Sequence, residues 1–157
     1  MSADARDAPP ALVREAGPDE LTAARAVVHA AGLPLDGLGE AAVLLVAEAD
    51  GEVVGTVALE RHGSGAETAY LLRSAAVVPA WRGRGVGDRL TRAALQLVDA
   101  AHAAVALLTE TADDYFRRYG FLPVARHELP AVLDASPELR GACPASARAM
   151  LRPPEST

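Results

Sequence analysis

The stretch VVPAWRGRGVGDRL, Val77 to Leu90, sets Gly83, Gly85 and Gly87 at alternate positions among arginines and runs straight into an apolar-periodic segment. A glycine inside a helix costs about 1 kcal/mol relative to alanine, so three of them where a helix should begin need a compensating role. A helix N-terminus presents unpaired N–H groups and a partial positive charge. Glycine lets that backbone approach an anion with no Cβ between them. Arg82 and Arg84 add positive charge at the same turn. The order strand, glycine turn, helix therefore reads as a phosphate-binding turn, with an ordinary glycine-rich turn as the alternative. It is neither a G-x-x-x-x-G-K-[ST] loop nor a G-x-G-x-x-G fingerprint, because both spacings fail.

Outward from this turn, the N-terminal half reads as an antiparallel meander. Leu12 to Ala16 suits a short strand. GPDELTAARAVVHAAGL suits a helix, with Asp19 as a candidate N-cap and Gly32 and Pro34 as the stop. Two β-rich runs flank Asp50-Gly51, the dipeptide of a type I′ hairpin. ETAYLLRSAAVVP is a third long strand closed by Pro79. On the C-terminal side the period changes. Val86 to Ala103 carries Val86, Leu90, Ala94, Leu97, Val98 and Ala101 as a helical stripe. VALLT is a continuous apolar run, as expected of a strand covered on both faces. Ala112 to Tyr119 reads as a short helix ended by Gly120, and FLPVAR as another strand. CPASARAM reads as a final strand with Pro144 near its start. The fold class is α/β (α+β), a mixed sheet of about six or seven strands with about four helices. One domain over residues 11–151 is expected, between disordered tails at 1–10 and 152–157.

The chain has 157 residues, enough for one sizeable core, and a formal net charge of -6. That acidity argues against nucleic acid as a partner, which demands an excess of Lys and Arg. All the basic residues counted with lysine are arginines, and those at 82, 84, 89 and 92 form a local positive spot. No apolar run reaches the ~18 residues of a membrane span, and the N-terminus MSADARDAPP lacks the regions of a signal peptide. A cytoplasmic protein with no membrane partner is expected. Cys143 is the single cysteine, read as a small buried hydrophobe rather than a metalloid ligand. His29, His62, His102 and His127 share no metal-ligand spacing, so no metal is expected. Trp81 reads as packing the turn, with adenine stacking as the alternative.

Two motifs carry a family resemblance. R-x-x-G-x-G occurs as Arg82-Gly83-Arg84-Gly85-Val86-Gly87, shortly after a strand-ending Val-Pro. After one more helix and strand, Thr109, Ala112, Tyr115, Phe116 and Gly120-Phe121 follow the pattern N-x-x-A-x-x-F-Y-x-x-x-G-F. Over roughly residues 12 to 127 the chain resembles the GCN5-related N-acetyltransferases (GNAT), which use acetyl-coenzyme A (acetyl-CoA) as cosubstrate. The resemblance implies that the strand before the glycine turn splays from the next parallel strand and that acetyl-CoA lies in the gap. Backbone groups near Val77 and Val78 then bind the acetyl carbonyl and the pantetheine arm. Residues Arg82, Gly83, Arg84, Gly85, Val86 and Gly87 hold the pyrophosphate, and Thr109, Ala112 and Phe116 complete the cofactor wall. The amine attacks the thioester directly, so the protein positions, polarises and manages protons.

The chain departs from the pattern where proton transfer matters. Phe116 holds the place of the usual acid tyrosine. The nearest hydroxyls are Tyr115, about 100° away around the helix, and Tyr119, closer to the same face. Thr109 stands for the family's frequent asparagine. Glu110, just past the buried strand, is the best-placed base, against the reading of an exposed first-turn glutamate favoured by the helix dipole. Glu48 and Glu60 are weaker candidates. LLRSAAV, LLTETADDYFRRYGF, ELPAVLDASPELRG with its Leu-Pro helix, and CPASARAM resemble a bacterial subfamily tied to arsenic resistance. By that resemblance Arg73 and Ser74 bind the substrate, Arg73 gripping a carboxylate or arsinate bidentately. A buried ion pair is the alternative for Arg73, and adjacent strand residues face opposite sides. The reading is thus an N-acetyltransferase for a small, amino-acid-like toxic amine, with a peptide acetyltransferase or a non-catalytic acyl-CoA sensor as alternatives. A homodimer is left open, since dimers are frequent in the family.

Overall fold

A computed structural model describes residues 10–155. Strand β1 (Leu12–Glu15) and helix α1 (Leu21–Ala30) lead into the hairpin of β2 (Val43–Ala49) and β3 (Glu52–His62). The turn residues Asp50 and Gly51 have φ of 52° and 80°, the pair of positive values that a type I′ turn requires. Strand β4 (Ala69–Val77) precedes helix α2 (Val86–Ala100), strand β5 (Ala104–Thr109) and helix α3 (Asp113–Arg117). Strands β6 (Leu122–Val124) and β7 (Arg148–Arg152) finish a seven-stranded mixed sheet of order β1-β2-β3-β4-β5-β7-β6. The meander, the helix after the glycine turn and the doubly covered strand all fall where the sequence puts them.

Five local expectations are corrected. Asp19 does not cap α1; Glu20 occupies the N-cap, where its Oε1 accepts the Gly17 N–H at 2.7 Å and its carboxylate also meets Arg14. In α2 the buried stripe takes Leu95, while Leu97 is 43% exposed and Ala101 lies beyond the last turn. The last strand begins at Arg148, so Cys143 and Pro144 belong to the segment before it. Arg152, expected in the tail, closes β7: its Nε donates to the Tyr119 carbonyl at 2.9 Å and its Nη1 to Asp99 Oδ1 at 2.7 Å. The stretch expected as a Leu-Pro helix is a tight turn over Ala131–Ala135 followed by a kinked one over Glu138–Ala142. Of the other expected tail residues, 10 and 153–155 belong to no helix or strand, and 1–9 and 156–157 lie outside the described residues.

The core lies on both faces of the sheet. On one face α2 and α3 cover Leu59, Leu72, Leu107 and Met150 together with Leu90, Phe116 and Phe121. On the other, α1 packs Val28 with Leu38 and Ala58, and the turns after residue 129 pack Leu129 and Leu133 on Leu71. Helix α2 approaches β3 closely at Gly55, where a Cβ would stand 2.9 Å from Leu90 Cδ1, 3.1 Å from Val86 Cγ1 and 3.3 Å from the Ala76 carbonyl.

The feature that makes a site is a bulge. Ala58 pairs with Arg73, but Thr56 pairs with Ala76, so β4 carries one residue more than β3 across that interval. Ser74 takes up the excess with φ of 58°, and its carbonyl accepts the Thr56 hydroxyl at 2.7 Å. A bulge bends its strand and ends regular pairing. Accordingly β4 and β5 pair only over Ala69–Leu71 and Ala104–Ala106, and part beyond them.

Gly55→Val drives a branched side chain into Leu90 and Val86, and overpacking of this kind costs about 1–3 kcal/mol. The urea midpoint should fall accordingly; a wild-type midpoint contradicts the packing described.

Candidate active site

The parted strands enclose a cleft of about 870 Å³. One wall is β4 from Leu72 to Val77 and the other is Leu107, Leu108 and Thr109 of β5. At one mouth lies the glycine turn. Gly83 and Gly85 have φ of 77° and 80°, which glycine alone adopts freely, and a Cβ at either would point into open space. Gly85 is the N-cap of α2, and the Gly83, Arg84 and Gly85 amides have no partner among the described residues. Gly87 is helical; a Cβ there would touch the Tyr115 Oη at 3.4 Å and Val77 Cγ2 at 3.7 Å. Arg84 lies over the Trp81 ring at 4.7 Å, so Trp81 supports the turn. Arg82 donates from Nε to the Val77 carbonyl at 3.1 Å, and the Val78 N–H donates to Val54. The β4 backbone that faces the gap is thus that of residues 72–76, on the edge β5 leaves unpaired.

Arg82, Gly83, Gly85, Val86 and Gly87 line the cleft with Val77, Thr109, Ala112 and Phe116, whereas Val78 and Arg84 lie just outside its lining. Thr109 Oγ1 accepts the Ala112 N–H at 2.9 Å, which starts α3 and leaves the Thr109 proton free to donate. Phe116 is buried, edge-on to Tyr115 and Phe121. Tyr115 reaches the cleft, its Oη 3.3 Å from Thr91 Oγ1 and 3.2 Å from Tyr119 Oη. Tyr119 stands behind it and donates to Asp88 Oδ1 at 2.6 Å. Burial and then Asp88 raise the Tyr119 hydroxyl well above its ordinary range, and Tyr119 and then Arg92 hold the Asp88 carboxyl down. Each hydroxyl has one proton; Tyr119 spends its own on Asp88, so at rest Tyr115 donates to the Tyr119 oxygen and accepts from Thr91, and it must turn its proton from Tyr119 to serve a partner in the cleft. Glu110 sits exposed on the rim, where its Oε1 accepts from Ser146 Oγ at 3.1 Å.

The opposite end of the cleft holds Arg73 and Ser74 together. The expected alternation of faces is broken by the bulge, and Arg73 Nε donates to Ser74 Oγ at 3.1 Å. The Arg73 side chain is fully buried. Its Nη1 donates to Glu60 Oε2 at 2.8 Å and to the Asp36 carbonyl, its Nη2 to the Pro34 carbonyl at 3.1 Å, and Nε lies 3.3 Å from Glu138 Oε2. Of the five guanidinium N–H groups, one on Nη2 is left for anything else. Glu60 does not line the cleft; Glu138 and Cys143 do. Glu138 went unnoticed in the sequence because an acidic residue in a polar, proline-bearing stretch looks like surface. Cys143 donates from Sγ to Glu138 Oε1 at 3.3 Å, and burial pushes its thiol up to about 12. Glu48, by contrast, pairs with Arg14 away from the cleft. Among the described residues no group of three His, Cys, Asp or Glu could hold a metal ion. No helix there is long and apolar enough to cross a membrane.

A split sheet with a helix N-terminus at its mouth suits a phosphate-bearing cosubstrate, and the comparisons give the class. Residues 40–123 match the model of the acetyltransferase (GNAT) domain, and the chain belongs to the GNAT family of N-acetyltransferases, with acetyl-CoA as cosubstrate. No protein with a curated description matches it. Among solved structures, it is similar to N-acetylglutamate synthase from Neisseria gonorrhoeae, complexed with coenzyme A and N-acetyl-glutamate (TM-score 0.75, 18% identity). That match covers 93% of this chain but only 35% of the synthase. It is also similar to Rv2747 from Mycobacterium tuberculosis, solved with CoA and NLQ (TM-score 0.71, 25% identity, 90% of this chain and 98% of that one). A GNAT acetyltransferase from Brucella melitensis, in complex with acetyl-CoA, is 29% identical at a TM-score of 0.59, over 71% of this chain and 82% of the other.

Gly85→Glu places a carboxylate where the unpaired amides converge. Calorimetry should show acetyl-CoA binding lost while the circular dichroism spectrum stays native; unchanged affinity rejects the turn as the anion site.

Proposed function

We propose that this protein is an acetyl-CoA-dependent N-acetyltransferase that moves the acetyl group directly to the amine of a small, amino-acid-like acceptor, of the arsenical-resistance type. It works as one cytoplasmic domain over residues 11–151. The observation that supports this reading most is the cleft itself. It runs from unpartnered amides, suited to a diphosphate, along an unpaired strand edge to a closed, charged end. Pro34, Glu138, Cys143 and Pro144 wall that end. Such a wall favours a small acceptor over a peptide, which would need an open groove. The Neisseria synthase, crystallised with N-acetyl-glutamate, shows an acetylated amino acid as ligand of a similar fold.

In this scheme the amides and side chains of Arg82, Gly83, Arg84, Gly85, Val86 and Gly87 hold the diphosphate. The β4 backbone towards Val77 and Val78 lies along the pantetheine arm, with Thr109, Ala112 and Phe116 on the facing wall. The amine nitrogen attacks the thioester carbonyl carbon, the C–N bond forms, the C–S bond breaks and CoA leaves as thiolate. Tyr115 gives that thiolate a proton and Tyr119, tied to Asp88, fixes the Tyr115 ring. Glu110 at the rim passes to solvent the proton that the nitrogen sheds once the C–N bond has formed. Arg73 and Ser74 form the acceptor end.

The phenylalanine at 116 favours a second reading, an acyl-CoA sensor without turnover. CoA release from acetyl-CoA, measured with L-glutamate, phosphinothricin, arsinothricin, ethylamine and basic peptides, separates the two. Turnover of a small amine is expected, and Tyr115→Phe should lower kcat by at least about 10²-fold with little change in the KM for acetyl-CoA. Binding of acetyl-CoA without release for any acceptor rejects the enzyme reading.

A further inference from the structure

At the far end of the cleft two carboxylates gather around a single guanidinium. Arg73, 3% exposed, is shared by the carboxylates of Glu60 and Glu138. His62 meets Glu60 from the other side at 2.8 Å, and two carboxylates share the one guanidinium. Buried charge without a partner is costly, and the fold places the second carboxylate where a cation can reach it. Glu60 is behind the cleft wall, whereas Glu138 is on it. The segment bearing Glu138 is shaped to hold it there. Ser136, fully buried, accepts the Glu138 N–H at 3.2 Å, and Gly141 with φ of 114° turns the chain back so that Cys143 donates to Glu138 from the other side. Position along β4 fits as well. Ser74 lies three residues, about 10 Å of strand, from Val77 and the glycine turn. Ser74, Arg73 and Glu138 thus line the same cleft as the glycine turn, on the open edge along which the arm of acetyl-CoA would lie.

We propose that Glu138 receives the ammonium group of the acceptor and takes one of its protons, with Arg73 as the residue that positions it, so that the acceptor is a primary amine that arrives as a cation. This rests on the acetyltransferase reading above. The step is R–NH₃⁺ plus the Glu138 carboxylate giving R–NH₂ plus the Glu138 carboxylic acid. The free amine then forms the C–N bond as the C–S bond breaks; the nitrogen's second proton leaves through Glu110 at the rim, Tyr115 protonates the CoA sulfur and regains a proton from solvent, and Glu138 returns its proton to solvent. The sum is an amide, CoA and one released proton. Burial raises the Glu138 carboxyl above its ordinary value, against the pull of Arg73, which makes it the better base. The groups that face the cluster are Arg73 from β4, Glu60 and His62 from β3, Cys143 from its own segment, and Arg126, which clamps the Pro144 and Ala147 carbonyls beside Cys143.

Glu138→Gln keeps the size of the side chain and an oxygen for Arg73. Its acetyl-CoA affinity by calorimetry should stay within about twofold of wild type, while kcat/KM for the turned-over amine falls at least about 10²-fold. The inflection that Glu138 gives the acidic limb of the pH profile should vanish, leaving an unbroken rise of about tenfold per pH unit with the free amine. Glu60→Gln, which removes a carboxylate outside the cleft, should move the acidic limb to lower pH. A merely structural cluster would lose rate equally at every pH. Wild-type kcat/KM with an unchanged acidic limb in Glu138→Gln overturns the proposal. If acetyl-CoA binds but no amine is acetylated, the acetyltransfer reading has failed by itself. Glu138 is then judged, as it is if Glu138→Gln fails to fold, by ¹³C NMR of the CoA-bound wild-type protein titrated with ethylammonium and with ethanol. A shift of the Glu138 δ-carbon with ethylammonium alone supports the subsite, and no shift overturns it. Failure of the wild type to bind acetyl-CoA overturns both readings together.

Discussion

One extra residue in β4 holds the rest of the site in place. Ser74, at φ of 58°, is held by the Thr56 hydroxyl on one side and Arg73 on the other. A non-glycine residue in that region costs about 1–3 kcal/mol and persists only where its surroundings enforce it. The bend it introduces ends the parallel pairing of β4 with β5 after three residue pairs. Without it, residues 72–76 would bond to β5 and there would be no gap, no free strand edge and no path from the glycine turn to the acceptor end.

The two ends of that path are different in kind. At the turn the positive potential is mostly backbone: amides at a helix N-terminus, opened by Gly83 and Gly85 and reinforced by arginines. At the other end it is side chains on different elements that meet. Arg73 alone joins β4 to the loop after α1, to β3 and to the 138–143 segment. A positive mouth and an interior with two carboxylates around one guanidinium suit a cosubstrate with phosphates at one end and an amine approaching the other.

What was legible in the chain follows from how local each signal is. The Asp50-Gly51 hairpin, the start of α2 and the glycine turn are fixed by neighbours in sequence, and each lies where its residues put it. The glycine motif and the pattern from Thr109 to Phe121 carried the family. The charged end was less legible because it is made by residues far apart in the chain. Arg73 stood out as a cation in an apolar strand, but its partners Glu60 and Glu138 are 13 and 65 positions away, and nothing in 130–147 marks Glu138 as interior. The bulge was illegible for a related reason. A two-residue period has no symbol for an extra residue, so Arg73 and Ser74 read as facing opposite ways although they touch. Phe116 and Tyr115 show the same limit: spacing gives an angle around α3, while the reach of the Tyr115 hydroxyl to Thr91 depends on how α3 lies on α2.

The central claim is that the parted strands and the turn amides together form one groove for a diphosphate-bearing thioester. Backbone amide NMR of the ¹⁵N-labelled protein titrated with acetyl-CoA tests it most directly. The account predicts large downfield shifts of the Gly83, Gly85 and Gly87 amides and clear shifts along residues 72–76 of β4, at the same midpoint. Shifts confined to other surfaces, with the turn and the open edge of β4 unmoved at saturation, would contradict it.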